Sequence, residues 1–324
     1  MSCLDANLRI SLRDQLLRWT VQPWLRGCVL LMLLVLPQSS RAEDTWLTVG
    51  HPGNPPDHTG CGAVAEVFQI MKHEVTVAQY VEFLNAVATA DDPHQLWLPA
   101  MGEHVITDLG QGGIRQDVPQ CILRQGAPGH WRYVPAPDWD QRPVIFVTCY
   151  SAMRYANWLH NGRQAADTED GAYRLSDGVH VQRSPAARVW LPSEDEWYKA
   201  AYFQPEAQGG PPGDYWSFPM STLQSPTEAE PGAELPTAAA FSRGFSGILP
   251  VGSFPNATSP CGALDMGGNV WEWTDQSRYG SKRILRGGSA AHTWHKLQST
   301  VRSNASPDRW YPDTGFRLAR KVAP

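Results

Sequence analysis

Two stretches of this chain carry residue types that do chemistry. The first, residues 262–274, reads Gly-Ala-Leu-Asp-Met-Gly-Gly-Asn-Val-Trp-Glu-Trp-Thr. Asp265 and Glu272 are hard oxygen donors, and the main-chain carbonyls between them can complete an oxygen cage for a cation such as calcium. The glycines allow a sharp turn or a close approach to a ligand. On an extended backbone Trp271 and Trp273 share one side, with Val270 and Glu272 on the other. The same run also reads as a glycine-cornered turn entering an aromatic core strand, and taken alone it leaves both readings open. The second stretch holds His292 and His295, three residues apart. Imidazole suits copper or iron, although two histidines in one loop are more often plain solvated side chains.

The elements that must position these residues carry clear local signals. Strand-like Val67–Lys72 runs into a helix over Val77, Tyr80, Val81, Leu84 and Val87, with Thr76 as its N-cap. Residues 143–148 and 249–255 read as further strands, and Trp131 and Tyr133 mark a short hairpin strand. A helix is predicted over Ser151–His160, closed by Asn161 and Gly162. Another starts at Ser193, where Ser193 and Glu196 form a capping box and the acidic first turn suits the helix dipole. Residues 283–289 follow the first stretch, a final strand is predicted at 314–319, and residues 204–236 read as either a long surface excursion or a partly mobile segment.

The N-terminal region begins with Arg9, Arg13, Arg18 and Arg26, then an apolar run at 29–36, then Ser40 and Ala42. That order reads as a secretory signal over residues 1–42, and the apolar run is far short of the ~20 residues a helix needs to span a bilayer. No later run is apolar enough to span, so no membrane span is expected after the signal is removed. Residues 43–324 then make one domain large enough for a substantial core. A net charge of −5 with pI ≈ 6.0 excludes the basic footprint of a nucleic-acid binder. Fourteen tryptophans, with many glycines and prolines, point to a loop-rich α+β domain and not to a helical bundle. Four cysteines follow the leader, Cys61, Cys121, Cys149 and Cys261, and the sequence chooses neither a bridge nor free thiols.

In this order the pieces resemble the domain of the formylglycine-generating enzymes, the sulfatase-modifying factors. The matching landmarks are Lys72–Thr76 with Gln79-Tyr80 and Phe83–Asn85, Pro143-Val144 with Tyr155–Trp158, and Leu191–Trp197. They continue with Pro250–Pro255, Asp265–Trp273, Arg286–Ser289 and Gly315–Arg317. The resemblance implies a single α+β domain of the C-type-lectin-like kind, with little regular secondary structure and with structural calcium. It places calcium ligands on the side chains of Asp265 and Glu272 and on the carbonyls of Gly268 and Val270. A second family calcium site would fall in 240–247, where Arg243 stands in place of an acidic residue. Ser289, Trp271 and Arg302 match positions of the family's cleft.

One departure concerns the chemistry itself. The family's copper oxidases carry a cysteine pair after Arg-Gly-Gly-Ser, and soft thiolate selects Cu(I). Here His292 takes the first cysteine's place, and no cysteine follows Cys261. The copper centre is therefore not carried over. The sequence instead implies an exported ligand-binding or assembly module on a calcium-braced scaffold, located in the periplasm, at the cell surface or secreted. Its ligand would be a protein, peptide or glycan. A second reading is an oxygen- or metal-dependent oxidoreductase rebuilt around His292 and His295, with Ser289, Arg302 and Trp271 beside them. A third is formylglycine generation itself.

Overall fold

Hydroxyl-capped helices and two four-stranded sheets frame the molecule, which a computed structural model describes over residues 45–322 apart from 104, 109–114, 119, 165–166 and 279. The predicted signal segment 1–42 lies outside the described residues. In chain order the elements used below are strands β1 (Trp46–Val49) and β2 (Phe68–Met71), helix α1 (Val77–Val87), and the hairpin β3 (Ile122–Ala127) and β4 (His130–Pro135). They continue with helix α2 (Cys149–His160), strand β5 (Val189–Trp190) and helix α3 (Glu194–Tyr202). Last come strands β6 (Trp271–Arg278), β7 (Lys282–Arg286), β8 (Ser303–Ala305), β9 (Thr314–Gly315) and β10 (Ala319–Lys321).

Each long helix starts where a side chain satisfies its first free N–H groups. Thr76 accepts from the Gln79 amide, and Gln79 returns a carboxamide oxygen to the Thr76 amide at 2.8 Å. Ser193 and Glu196 make the same reciprocal pair at the start of α3. Such a cap stabilises a helix by about 1 kcal/mol. Helix α2 begins two residues before the predicted start, because the Thr148 hydroxyl accepts from the Ser151 amide. It stops as predicted, at Asn161 followed by Gly162 with φ +78.

The first sheet runs β1-β2-β10-β5 and the second β8-β7-β6-β9. In the second sheet β6 pairs antiparallel with β7 and parallel with β9, so Glu272 faces Arg286 on one side and Gly315 on the other. The apolar faces of α1 and α2 meet in an aromatic cluster of Tyr80, Phe83, Tyr155, Trp158 and Phe316, with ring centres 5.4–6.5 Å apart. A smaller cluster of Phe218, Phe254 and Leu297 is separate from this core.

Two predicted strands are not strands. Residues 144–147 are buried, but Phe146 takes φ +61 and the segment crosses between distant partners: Val144 N–H donates to Val75 O and Phe146 N–H to Tyr311 O. Residues 249–255 form turns. Leu249 and Gly252 donate to the side chains of Asn269 and Asp265, Val251 donates to the lone carbonyl of Gln141, and prolines 250 and 255 have no N–H to give a ladder. The final predicted strand is split into β9 and β10. Among the described residues no helix is long and apolar enough to cross a membrane.

Candidate functional site

The loop after β7 is built on two left-handed glycines, Gly287 at φ +97 and Gly288 at φ +76. A Cβ on Gly288 would lie 2.9 Å from Leu297 and 3.0 Å from the Lys296 carbonyl, so the close turn requires glycine. Backbone bonds then fix residues 289–292 from two directions. Ala290 N–H donates to the Asn269 carbonyl at 2.9 Å. From the other direction, Ser242 and Arg243 donate to the carbonyls of His292 and Ala290 at 2.7 Å each. Arg243, unexpected where the family carries an acid, thus helps hold this loop through its main chain.

These constraints bring Trp271, Ser289 and His292 together with Asp313. The Ser289 hydroxyl donates to Asp313 Oδ2 at 2.6 Å and lies 2.7 Å from His292 Nδ1. Trp271 Nε1–H donates to the same Nδ1 at 3.3 Å, its ring meeting the imidazole edge-on at 5.7 Å. Burial holds the His292 pKa below the usual histidine value, with Asp313 opposing and Lys296 reinforcing that shift. Burial pushes the Asp313 carboxyl up, while Ser289 and His292 pull it down. An indole N–H can only donate, so the Trp271 contact favours a bare Nδ1 and a proton on Nε2. Ser289 has a single hydroxyl proton to give, so the second of its two short contacts is a hydrogen bond only when His292 or Asp313 supplies the proton.

A cavity of about 260 Å³ opens over this node, lined by Trp271, His292, Lys296, Arg302, Tyr311 and Asp313 among others. Ser289 lies beneath it, fully buried. Arg302 is held from behind, its Nη2 donating to Cys61 Sγ at 2.7 Å. Its Nε lies 2.8 Å from Glu194 Oε1, an ion pair whose angle falls short of a hydrogen bond. The same Glu194 oxygen accepts from Arg286 at 2.8 Å. Burial, then Glu194, push the Cys61 thiol up. His295 is placed elsewhere: exposed, stacked on Trp294 at 3.7 Å and 3.4 Å from Thr293 Oγ1.

Asp313, Glu194 and Cys61 did not emerge from the sequence as site residues. Asp313 stands directly before the Thr-Gly-Phe-Arg strand, which was its one available signal. Glu194 reads as a helix-dipole residue, yet it is 4% exposed and serves three arginines, Arg278, Arg286 and Arg302. Among the described residues no cysteine lines the cavity, so its donor set does not fit a copper–dithiolate centre. The four described cysteines are free thiols, and burial pushes Cys121 and Cys149 up to about 12.

The expected calcium ligands form a buried knot behind the cavity. Glu272 is gripped by Arg317 through both oxygens at 2.7 Å, and its Oε2 also accepts from Trp197 Nε1 at 2.8 Å. Asp265, at φ +58, accepts from the Gly252 amide at 2.6 Å. Gly268 is obligatory, since a Cβ there would sit 2.3 Å from the Ala240 carbonyl, and Val270 is fully buried. Glu74 adds a third carboxyl: its Oε1 accepts from Asn269, while its buried Oε2 has no hydrogen-bond partner among the described residues. Burial raises Glu74 well above the carboxylate range and Asp265 to about 6. Carboxyls outnumber the guanidinium, and that surplus fits a hard cation. Among the described residues no group of three or more His, Cys, Asp or Glu is arranged to hold a metal, so such an ion would also draw on main-chain carbonyls.

A family model described as "Sulfatase-modifying factor enzyme 1-like domain" matches residues 50–322. The formylglycine-generating enzyme of Mycobacterium tuberculosis is 27% identical over 303 residues, 82% of this chain and 91% of the relative. An inactive C-alpha-formylglycine-generating enzyme 2 of Bos taurus is 33% identical over 155 residues, 44% of this chain and 49% of the relative. A hercynine oxygenase of Mycolicibacterium thermoresistibile is 29% identical over 219 residues, 60% of this chain and 38% of the relative. The chain thus aligns with about half the length of the bovine relative. The crystal structure of CarF superposes with a TM-score of 0.51 at 23% identity, covering 86% of this chain and 98% of that one, a likeness of fold.

Proposed function

We propose, because the chain belongs to the sulfatase-modifying factor enzyme 1-like family, that it is a ligand-binding module of that family working at the cavity over His292. One observation carries the reading: the cavity offers the Arg302 and Lys296 cations, the His292 imidazole and the aromatic faces of Trp271 and Tyr311, with no cysteine in its lining. That set suits polar recognition beside aromatic contact and lacks the soft donors for copper. The relative named as an inactive formylglycine-generating enzyme supports the idea that this domain persists without the oxidase chemistry. The ligand is a protein, peptide or glycan, met after export through the leader at 1–42, and calcium at Asp265, Gly268, Val270 and Glu272 braces the scaffold.

The reading as a rebuilt two-histidine oxidoreductase has less support, because His295 lies away from the cavity. Anaerobic copper and iron titration of wild type and His292→Ala tests it; equal uptake by both removes His292 from any metal centre. For the binding reading, glycan and peptide arrays are probed with the purified chain, with and without calcium. A calcium-sensitive ligand whose binding is lost in His292→Ala is the expected outcome. A blank array, or formylglycine produced from a Cys-x-Pro-x-Arg peptide with copper added, overturns it.

A further inference from the structure

A second cavity, about 320 Å³, is lined by Thr48, Gly50, His51, Lys199, Phe203 and Cys261 among others, and shares no lining residue with the cavity over His292. Lys199 projects from α3 and is 1% exposed. Its Nζ donates to the His51 carbonyl at 2.7 Å and lies 5.7 Å from the centre of the Phe203 ring. Among the described residues no carboxylate lines this cavity. His51 itself takes φ +55, a conformation that costs a non-glycine residue energy and often marks a functional position. A buried ammonium facing a cavity without a counter-anion is held at the expense of its charge, which is how lysines become nucleophiles.

We propose that this cavity takes a small aldehyde or ketone, which condenses with Lys199 to form an imine. The Nζ lone pair forms the C–N bond, and the carbonyl oxygen takes up protons and leaves as water, so no oxidant or reductant is needed. The His51 imidazole, in the same lining, supplies a proton to the departing oxygen. Burial alone brings the Lys199 amine down to about 8, with no charged neighbour contributing. The other titratable groups of the lining are His51 and Cys261, and burial pushes the Cys261 thiol up, keeping it protonated.

The test is reductive trapping of the full chain with acetaldehyde and cyanoborohydride at pH 7.5, with each lysine's labelling followed by peptide mass spectrometry. Lys199 is expected to label on the order of ten times faster than the exposed Lys282 and Lys296, because a lowered pKa leaves far more free amine. Its rate should fall as pH drops below about 8. One variant keeps the lysine and fills the space: Gly50→Phe, where an added Cβ meets nothing within 4 Å. It should suppress Lys199 labelling roughly ten-fold while the melting temperature is unchanged. Labelling of Lys199 no faster than Lys282, or equally fast in Gly50→Phe, overturns the proposal.

Discussion

Ser289 donates its hydroxyl to Asp313 across 2.6 Å, and neither side chain reaches far into solvent, at 0% and 7% exposure. This bond makes the serine a junction, since the same oxygen lies 2.7 Å from His292 Nδ1. The Asp313 carboxyl thereby acts on the imidazole beside it in the cavity lining at 3.6 Å, and through the hydroxyl as well. The charge of the histidine therefore answers to burial, which lowers its pKa most, and to the Asp313 carboxyl, which opposes that shift.

The first prediction follows from that coupling. Asp313 raises the His292 pKa and Lys296 lowers it, against a background of burial that lowers it most. Asp313→Asn should therefore move the His292 titration to lower pH, and Lys296→Met should move it to higher pH. NMR titration of the His292 ring protons reads both. Shifts of the same sign in the two variants would contradict the electrostatic account.

The knot beneath the cavity gives the second. Arg317 and Glu272 are both fully buried and joined by two bonds of 2.7 Å. Removing one partner strands the other charge, which costs about 3–5 kcal/mol. Arg317→Met should therefore lower urea-unfolding stability by that amount, and the double variant with Glu272→Leu should recover part of it. A loss below about 1 kcal/mol in the single variant would mean that the pair is solvated.

Calcium supplies the third. An ion that binds only the folded chain stabilises it by linkage, so a chelator should lower the melting temperature and added calcium should restore it. Asp265→Ala removes one expected ligand and should abolish the difference between the two conditions. An unchanged melting curve in the wild type would remove calcium from Asp265 and Glu272.

What the sequence made legible divides along the range of the interactions. The caps at Thr76 and Ser193 are readable because donor and acceptor lie three residues apart. Residues 144–147 look like a strand because they are apolar and buried, but their hydrogen bonds go to Val75 and Tyr311, partners that periodicity does not encode. The same limit divides the site. Trp271, Ser289, His292 and Arg302 could be placed by resemblance to a family. The acid that tunes the histidine and the thiol behind Arg302, 241 residues away in the chain, needed the fold. His295, attractive by spacing, turns outward because the 3₁₀ turn Trp294–Leu297 stacks it on Trp294 and sends Leu297 inward.

The last prediction concerns acid stability. Burial, then the charges of Arg317 and Lys72, bring the His73 pKa down to about 4 from the ordinary histidine value of 6.5. The unfolded chain then takes up the proton first, so stability is complete above pH 6.5 and is lost as pH falls toward 4. The integrated effect is about 3 kcal/mol at most. Asp275 acts in the opposite direction. Burial raises it to about 6 from 3.8, so the folded chain holds its proton more tightly and stability falls as pH rises through that window. Over pH 4–6 the two contributions oppose each other, and Asp265, also raised to about 6, acts in the same direction as Asp275. His73→Phe removes the loss on acidification, so its stability should rise, relative to its own value at pH 7, as pH falls from 6 to 4. Asp275→Asn removes the compensating gain and should steepen the fall. Urea unfolding of the three proteins across that range reads the slopes directly, and slopes that move together in the two variants would overturn the assignment to His73 and Asp275.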